Sequence, residues 1–132
     1  MSVIGDEYRR SWARRYIREA QADLSTAEEN PISTVSINFA LISMRKSQTA
    51  IYYSLGDPEY LASIVGKSIE NEKMIKDATM RLLIQMETLI QRDSRLAERL
   101  DRKSLIEESR GLLEIASKIV NLVIGSERRQ SA

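Results

Sequence analysis

A chain of 132 residues, 42% hydrophobic and 30% charged, makes one domain with a modest core; it is neither disordered nor long enough for two. The formal net charge of +1 hides a segregated distribution, with an acid-free arginine cluster near the N-terminus followed by an acidic stretch. No Cys is present, which excludes disulfides and thiolate metal sites, and no His, which removes imidazole ligands, the Ser–His nucleophile pair and the commonest general base.

The first helix is expected to run to about Glu29 with Asp6 as its N-cap. It carries Tyr8–Arg18, a stretch of five arginines, no acid and three aromatics, including the only Trp. At about 100° per residue, Arg10, Arg14 and Arg18 form one row, with Arg15 beside them. Tyr8, Trp12 and Tyr16 form a second row, and Ala13, Ile17, Ala20 and Leu24 a narrow apolar seam. Two readings fit this stretch: a solvated basic face on an amphipathic helix, or a phosphate-binding wall. Guanidinium groups are planar, permanently charged forks that match phosphate oxygens, and a neighbouring ring can stack on sugar, base or arginine. An arginine run with no acid spaced to pair within it is less usual, because solvated helices interleave Glu with Arg. With mutually repelling arginines and a narrow seam, this helix is expected to behave as an arm that frays in the free protein.

Glu19, Asp23, Glu28 and Glu29 follow with no base among them, and Asn30-Pro31 ends the helix, since the residue before a proline avoids helical dihedrals. The second helix is placed at Ser33 to Leu55, with Arg45 and Lys46 as its only charges. Ser36, Ala40, Ser43, Ser47, Ala50 and Ser54 make a seam of small side chains. Beside it runs a bulkier seam of Ile37, Leu41, Met44, Gln48, Ile51 and Leu55. Such a helix is buried or sandwiched, at the centre of the bundle or between subunits. No acid lies within a helical turn of Arg45 and Lys46, so both are read as needing an anion from elsewhere, and both join the candidate DNA contacts.

Gly56 stops that helix, and Asp57-Pro58 starts a short one over Pro58–Val65 with Gly66 after its end. Ser68 is read as the cap of a third long helix over Ile69–Arg92, with a stripe at Ile75, Thr79, Leu82, Met86 and Leu89. The stretch 93–103 reads as a basic connector. Ser104 and Glu107 have capping-box spacing and open the last helix, whose stripe of Leu105, Leu112, Ala116, Ile119 and Val123 is widened by Leu113 and Val120. Gly125 is expected to end it. The layout is all-α: an N-terminal basic arm helix (1–30), an antiparallel four-helix-type bundle (31–125) and a polar tail (126–132) with Arg128 and Arg129. The polar N-terminus argues against a signal peptide, and no apolar run reaches transmembrane length.

No Gly-rich phosphate loop or dinucleotide fingerprint occurs, and the di-iron bundle signature fails for want of His. Glu28/Glu29 and Glu107/Glu108 read as solvated charge, and Met74, Met80, Met86, Tyr52 and Tyr53 as packing. The expectation is therefore no enzyme, no cofactor and no metal.

Two motifs carry a resemblance: Asn30-Pro31-Ile32-Ser33-Thr34-Val35-Ser36, opening the second helix, and Ile119-Val120-Asn121-Leu122-Val123-Ile124-Gly125-Ser126, closing the last. In order and spacing, with the basic-aromatic start, the chain resembles the major coat proteins of rod-shaped and filamentous viruses of hyperthermophilic archaea, the filamentous, enveloped branch above all. The Gly/Pro-rich middle of the rod-shaped branch is missing. The resemblance implies a virion capsid protein that wraps double-stranded DNA as A-form and builds a helical filament. It also implies a dimer, either of this chain with itself or with a paralogous coat protein, neighbouring subunits in a shell, and a surrounding lipid envelope. Arg9, Arg10, Arg14, Arg15 and Arg18 would then meet phosphates, with Tyr8, Trp12 and Tyr16 against the DNA backbone or a partner. Two alternatives stand beside it: a non-catalytic bundle of the HEPN type, whose usual catalytic His is absent here, and an oligomeric interaction module that binds no nucleic acid.

Overall fold

A computed structural model describes the backbone of residues 3–131 and the side chains of residues 5–125. Every regular element among them is helical: α1 (Val3–Glu29), α2 (Ser33–Leu55), α3 (Pro58–Ser68), α4 (Ala78–Arg95) and α5 (Arg102–Ser131). Short 3-10 turns at Ile69–Met74 and Ala97–Arg99 flank α4. No helix among the described residues is long and apolar enough to cross a membrane.

The central contact is between α1 and α2, and small side chains make it. Ala13, Ala20 and Ala27 recur every seven residues on α1, and all three are fully buried. They meet the small-residue seam of α2 running the other way. The Ser36 hydroxyl donates to the Ala27 carbonyl, and the Ser43 hydroxyl to that of Ala20 at 2.7 Å. Ala13 shares a buried cluster with Ala50. A hydroxyl on one helix reaches the main chain of the other only where no larger side chain intervenes. The bonds also satisfy buried hydroxyls that would otherwise cost desolvation energy.

One expectation is corrected by this contact: the N-terminal helix is no free arm, because its alanine seam seats it along α2. Of the two places expected for α2, it takes the centre of the bundle, with α1 filling its small-residue seam. The N-cap assigned to Asp6 is corrected as well: α1 begins at Val3, and Asp6 pairs with Arg9 at 2.6 Å.

Packed against both α1 and α2 lies α5, running parallel to α2, with the Ser109 hydroxyl donating to the Ala40 carbonyl at 3.1 Å. Arg102, at the start of α5, clamps the end of α1. Its guanidinium donates to the Ser36 hydroxyl (2.9 Å) and to the carbonyls of Ala27 (3.4 Å), Glu28 (3.2 Å) and Asn30 (2.7 Å). A cation there answers the negative end of the α1 dipole and the helix's orphan carbonyls. By contrast α4 is antiparallel to α2: Glu87 bonds Arg45 and Gln48, while the turn after α4 comes back to Thr34 and Ile37.

Local signals decide where the helices stop. Gly56 follows α2, with its N–H on the Tyr52 carbonyl, and the Asp57 carboxylate accepts the Glu59 and Tyr60 N–H groups at the start of α3. The expected stop at Gly66 fails, since no described glycine has a positive φ and α3 runs through to Ser68. The long helix placed over Ile69–Arg92 is broken: Asp77, whose carboxylate accepts the Met80 N–H at 2.8 Å, starts α4 nine residues late. Of the expected stripe Met86 is buried and Ile75, Leu82 and Leu89 pack against the core, while Thr79 is exposed; Leu83, Ile84 and Ile90 add fully buried positions. The capping box at Ser104 is replaced by Asp101, which accepts both the Ser104 N–H (3.0 Å) and its hydroxyl (2.8 Å). Finally, α5 continues through Gly125 to Ser131, so the backbone of the expected tail is helical. Arg128 and Arg129 lie outside the described side chains, and Ala132 outside the described residues.

Candidate nucleic-acid interface

The helical wheel of α1 places its aromatic row beside α2, where Tyr53 meets it. Tyr53 stacks on Tyr16 (centroids 5.4 Å apart) and on Trp12 (6.2 Å), while Tyr8 lies edge-on to Trp12 at 6.1 Å. Trp12 and Tyr16 are thus engaged within the chain. Tyr8 is the exposed member, at 62%.

Charge pairing sorts the basic candidates. Arg9 turns inward, bonding the Asp6 carboxylate at 2.6 Å and the Tyr53 carbonyl at 3.2 Å. Arg10 is half-buried and likewise engaged. Arg15 lies over the Trp12 ring, 4.7 Å from its centroid, and bonds Glu19 at 3.1 Å. Lys46 bridges Asp23 (2.8 Å) and Glu19 (3.3 Å). Its bond to Asp23 raises the Lys46 pKa above the ordinary lysine value, and its bond to Glu19 lowers that carboxyl below the usual range. Arg45 bonds Glu87 at 2.6 Å and Gln48 at 2.8 Å. The expectation that Arg45 and Lys46 look outside the chain for an anion is therefore corrected. Their carboxylates come from α4 and α1, helices that no sequence spacing along α2 could reveal.

Arg14 and Arg18 remain. Neither makes an ion pair among the described residues, and both line a groove between α1 and α5. Ile17, Gln21, Ser117, Val120 and Asn121 complete the lining of this space of about 290 Å³, which contains no carboxylate. Gln21, Ser117 and Asn121 are not among the expected contacts, although Asn121 lies in the Ile119–Ser126 motif. Their convergence is visible only once α5 is laid against α1.

Two features elsewhere concern stability. Tyr52 is buried with no hydrogen-bond partner for its hydroxyl, and burial raises its pKa above the ordinary tyrosine value. Between α4 and α5, Asp93 is wholly buried and accepts from Arg92 at 3.1 Å, and the same guanidinium reaches Glu108 at 3.3 Å. Burial first, and Asp93 second, push the Glu108 carboxyl up to about 7. No group of three or more possible metal ligands exists among the described residues. Compared with known proteins, the chain matches no protein-family model, no curated protein and no solved structure.

Proposed function

We propose that this chain is a structural nucleic-acid-packaging protein: a virion coat subunit that binds double-stranded DNA through its phosphates, wraps it as A-form and assembles into a helical filament. The observation that carries the reading is the pair Arg14 and Arg18, without ion pairs among the described residues and in a groove whose described lining holds no acid, while Arg9, Arg15, Arg45 and Lys46 are paired with carboxylates of the chain. Permanent charges aimed at solvent suit phosphate contact, which is sequence-blind, as packaging requires. In this reading α1 meets DNA as one face of an antiparallel four-helix-type bundle, held by α2 while its outer side follows the duplex. The resemblance of the Asn30–Ser36 and Ile119–Ser126 motifs to archaeal filamentous-virus coat proteins supports the same reading.

The partners are a second coat subunit (a copy of this chain or a paralogue), further subunits along the shell, and a lipid layer outside it. With the small-residue seam occupied by α1, subunit contacts fall to apolar side chains still at the surface, such as Tyr60 (65% exposed), Leu122 (71%) and Met74 (79%). The test is to mix purified protein with random-sequence linear duplex, image the product by electron microscopy and digest it with nuclease. Continuous filaments that protect the duplex along its length are expected. Discrete oligomers beside bare, digestible DNA would overturn the reading.

A further inference from the structure

The groove between α1 and α5 has two walls of different chemistry. Arg14, Arg18 and Gln21 stand on one side, Ser117 and Asn121 on the other, over a floor of Ile17 and Val120. The Gln21, Ser117 and Asn121 side chains make no hydrogen bond among the described residues, and Arg14 and Arg18 make no ion pair there. That contrasts with other polar groups packed between these helices: Arg110 bonds Glu28 at 2.7 Å, and Arg102 holds the end of α1. Five side chains with donors to spare thus converge on one acid-free space.

We infer that this groove is a two-walled phosphodiester cleft, in which α5 supplies neutral donors from Ser117 and Asn121 to the phosphates held by Arg14 and Arg18. The inference rests on the nucleic-acid reading and adds the second helix to the contact. Its shape favours a strand over a lone anion. One helical turn separates the two arginines by about 6 Å along α1, and Ser117 and Asn121 repeat that step on α5. The cleft is therefore a trough lined along its length, fitted to successive phosphates. It is also blind to bases, because no aromatic ring lines it to serve as a stacking platform.

The two walls leave different signatures. Arginines displace condensed counterions, so they set both affinity and salt dependence, whereas a hydroxyl or an amide adds a hydrogen bond and no charge. Binding of wild type, Arg14→Ala/Arg18→Ala and Ser117→Ala/Asn121→Ala to a fluorescent random-sequence duplex would be measured across a salt series, with folding checked by circular dichroism. The neutral-wall double variant is expected to lose about fivefold to tenfold in affinity with an unchanged salt slope. Asn121→Asp, which sets a carboxylate in the trough, is expected to lose more than the alanine variant.

Wild-type binding that Ser117→Ala/Asn121→Ala and Asn121→Asp leave intact would overturn the cleft while sparing the nucleic-acid reading. A wild type that ignores duplex at low salt would overturn both. Phosphatidylglycerol vesicles form a parallel arm. If they bind as tightly as duplex and lose binding in the same variants, the ligand is a membrane headgroup and the strand assignment falls.

Discussion

Replacing Glu108 by Gln should make the fold less sensitive to alkaline pH. Asp93 is wholly buried, and its Oδ2 has no hydrogen-bond partner among the described residues; Arg92 reaches both Asp93 Oδ1 and Glu108. Both carboxyls ionised beside one guanidinium is an unfavourable state, and burial adds to it, which is why the Glu108 carboxyl is pushed from 4.5 to about 7. A folded-state value above the unfolded one means the native protein holds the proton more tightly. The stabilisation is therefore present below the ordinary glutamate range and is lost as pH rises through about 7.

Unscreened, that shift corresponds to about 3 kcal/mol at 1.36 kcal/mol per unit. The Glu108 side chain is 37% exposed, so solvent screening reduces the expected effect to about 1 kcal/mol. The chain has no His, which leaves this pH window nearly free of other side-chain titrations. Urea denaturation followed by circular dichroism, from about pH 5 to about pH 8.5, would compare wild type with Glu108→Gln. The two should be close at the acid end, with the variant about 1 kcal/mol more stable at the alkaline end. Parallel curves across the whole range would refute the account of a proton held more tightly on Glu108 in the folded state.

Ala20→Leu should cost about 3 kcal/mol, because a branched side chain cannot fit where the Ser43 hydroxyl reaches the Ala20 carbonyl; a thermal melt checks it, and a near-neutral result would mean that α1 and α2 are not in close contact. Arg102→Ala removes the clamp on the α1 carboxyl end and should cost about 2 kcal/mol, with faster amide exchange around Asn30. Asp77→Ala should cost about 1 kcal/mol through loss of the α4 cap, whereas Ser68→Ala should cost much less, since the Ser68 side chain caps nothing.

The residues that carry strong local chemistry made much of this fold readable in advance. Asn30-Pro31, Gly56 and Asp57-Pro58 punctuate the chain where the helices end and begin, so α2 lies at Ser33–Leu55 as its pattern indicates. The seams of α2 were visible too, but not what fills them: small residues say that a backbone can approach, not whose. Glycines misled where the chain did not need a left-handed turn, at Gly66 and Gly125. Asp77 and Asp101 were passed over because Ser68 and Ser104 offered competing caps.

At the interface the arginine row was legible, and the neutralisation of Arg45 and Lys46 was not. Glu87, Glu19 and Asp23 meet Arg45 and Lys46 only once the helices pack. Asp93 is the sharpest omission, because a carboxylate inside a charge-rich connector gives no hint of being buried.

The most direct test of the account compares duplex binding across a salt series for wild type, Arg14→Ala/Arg18→Ala and Arg45→Ala. If the arginines without ion pairs carry phosphate contact, the double variant lowers the slope of log K against log salt by about 2, while Arg45→Ala, whose guanidinium is held by Glu87, leaves it unchanged. Equal slopes for wild type and the double variant, or a larger loss in Arg45→Ala, would contradict the assignment of DNA binding to the α1/α5 face.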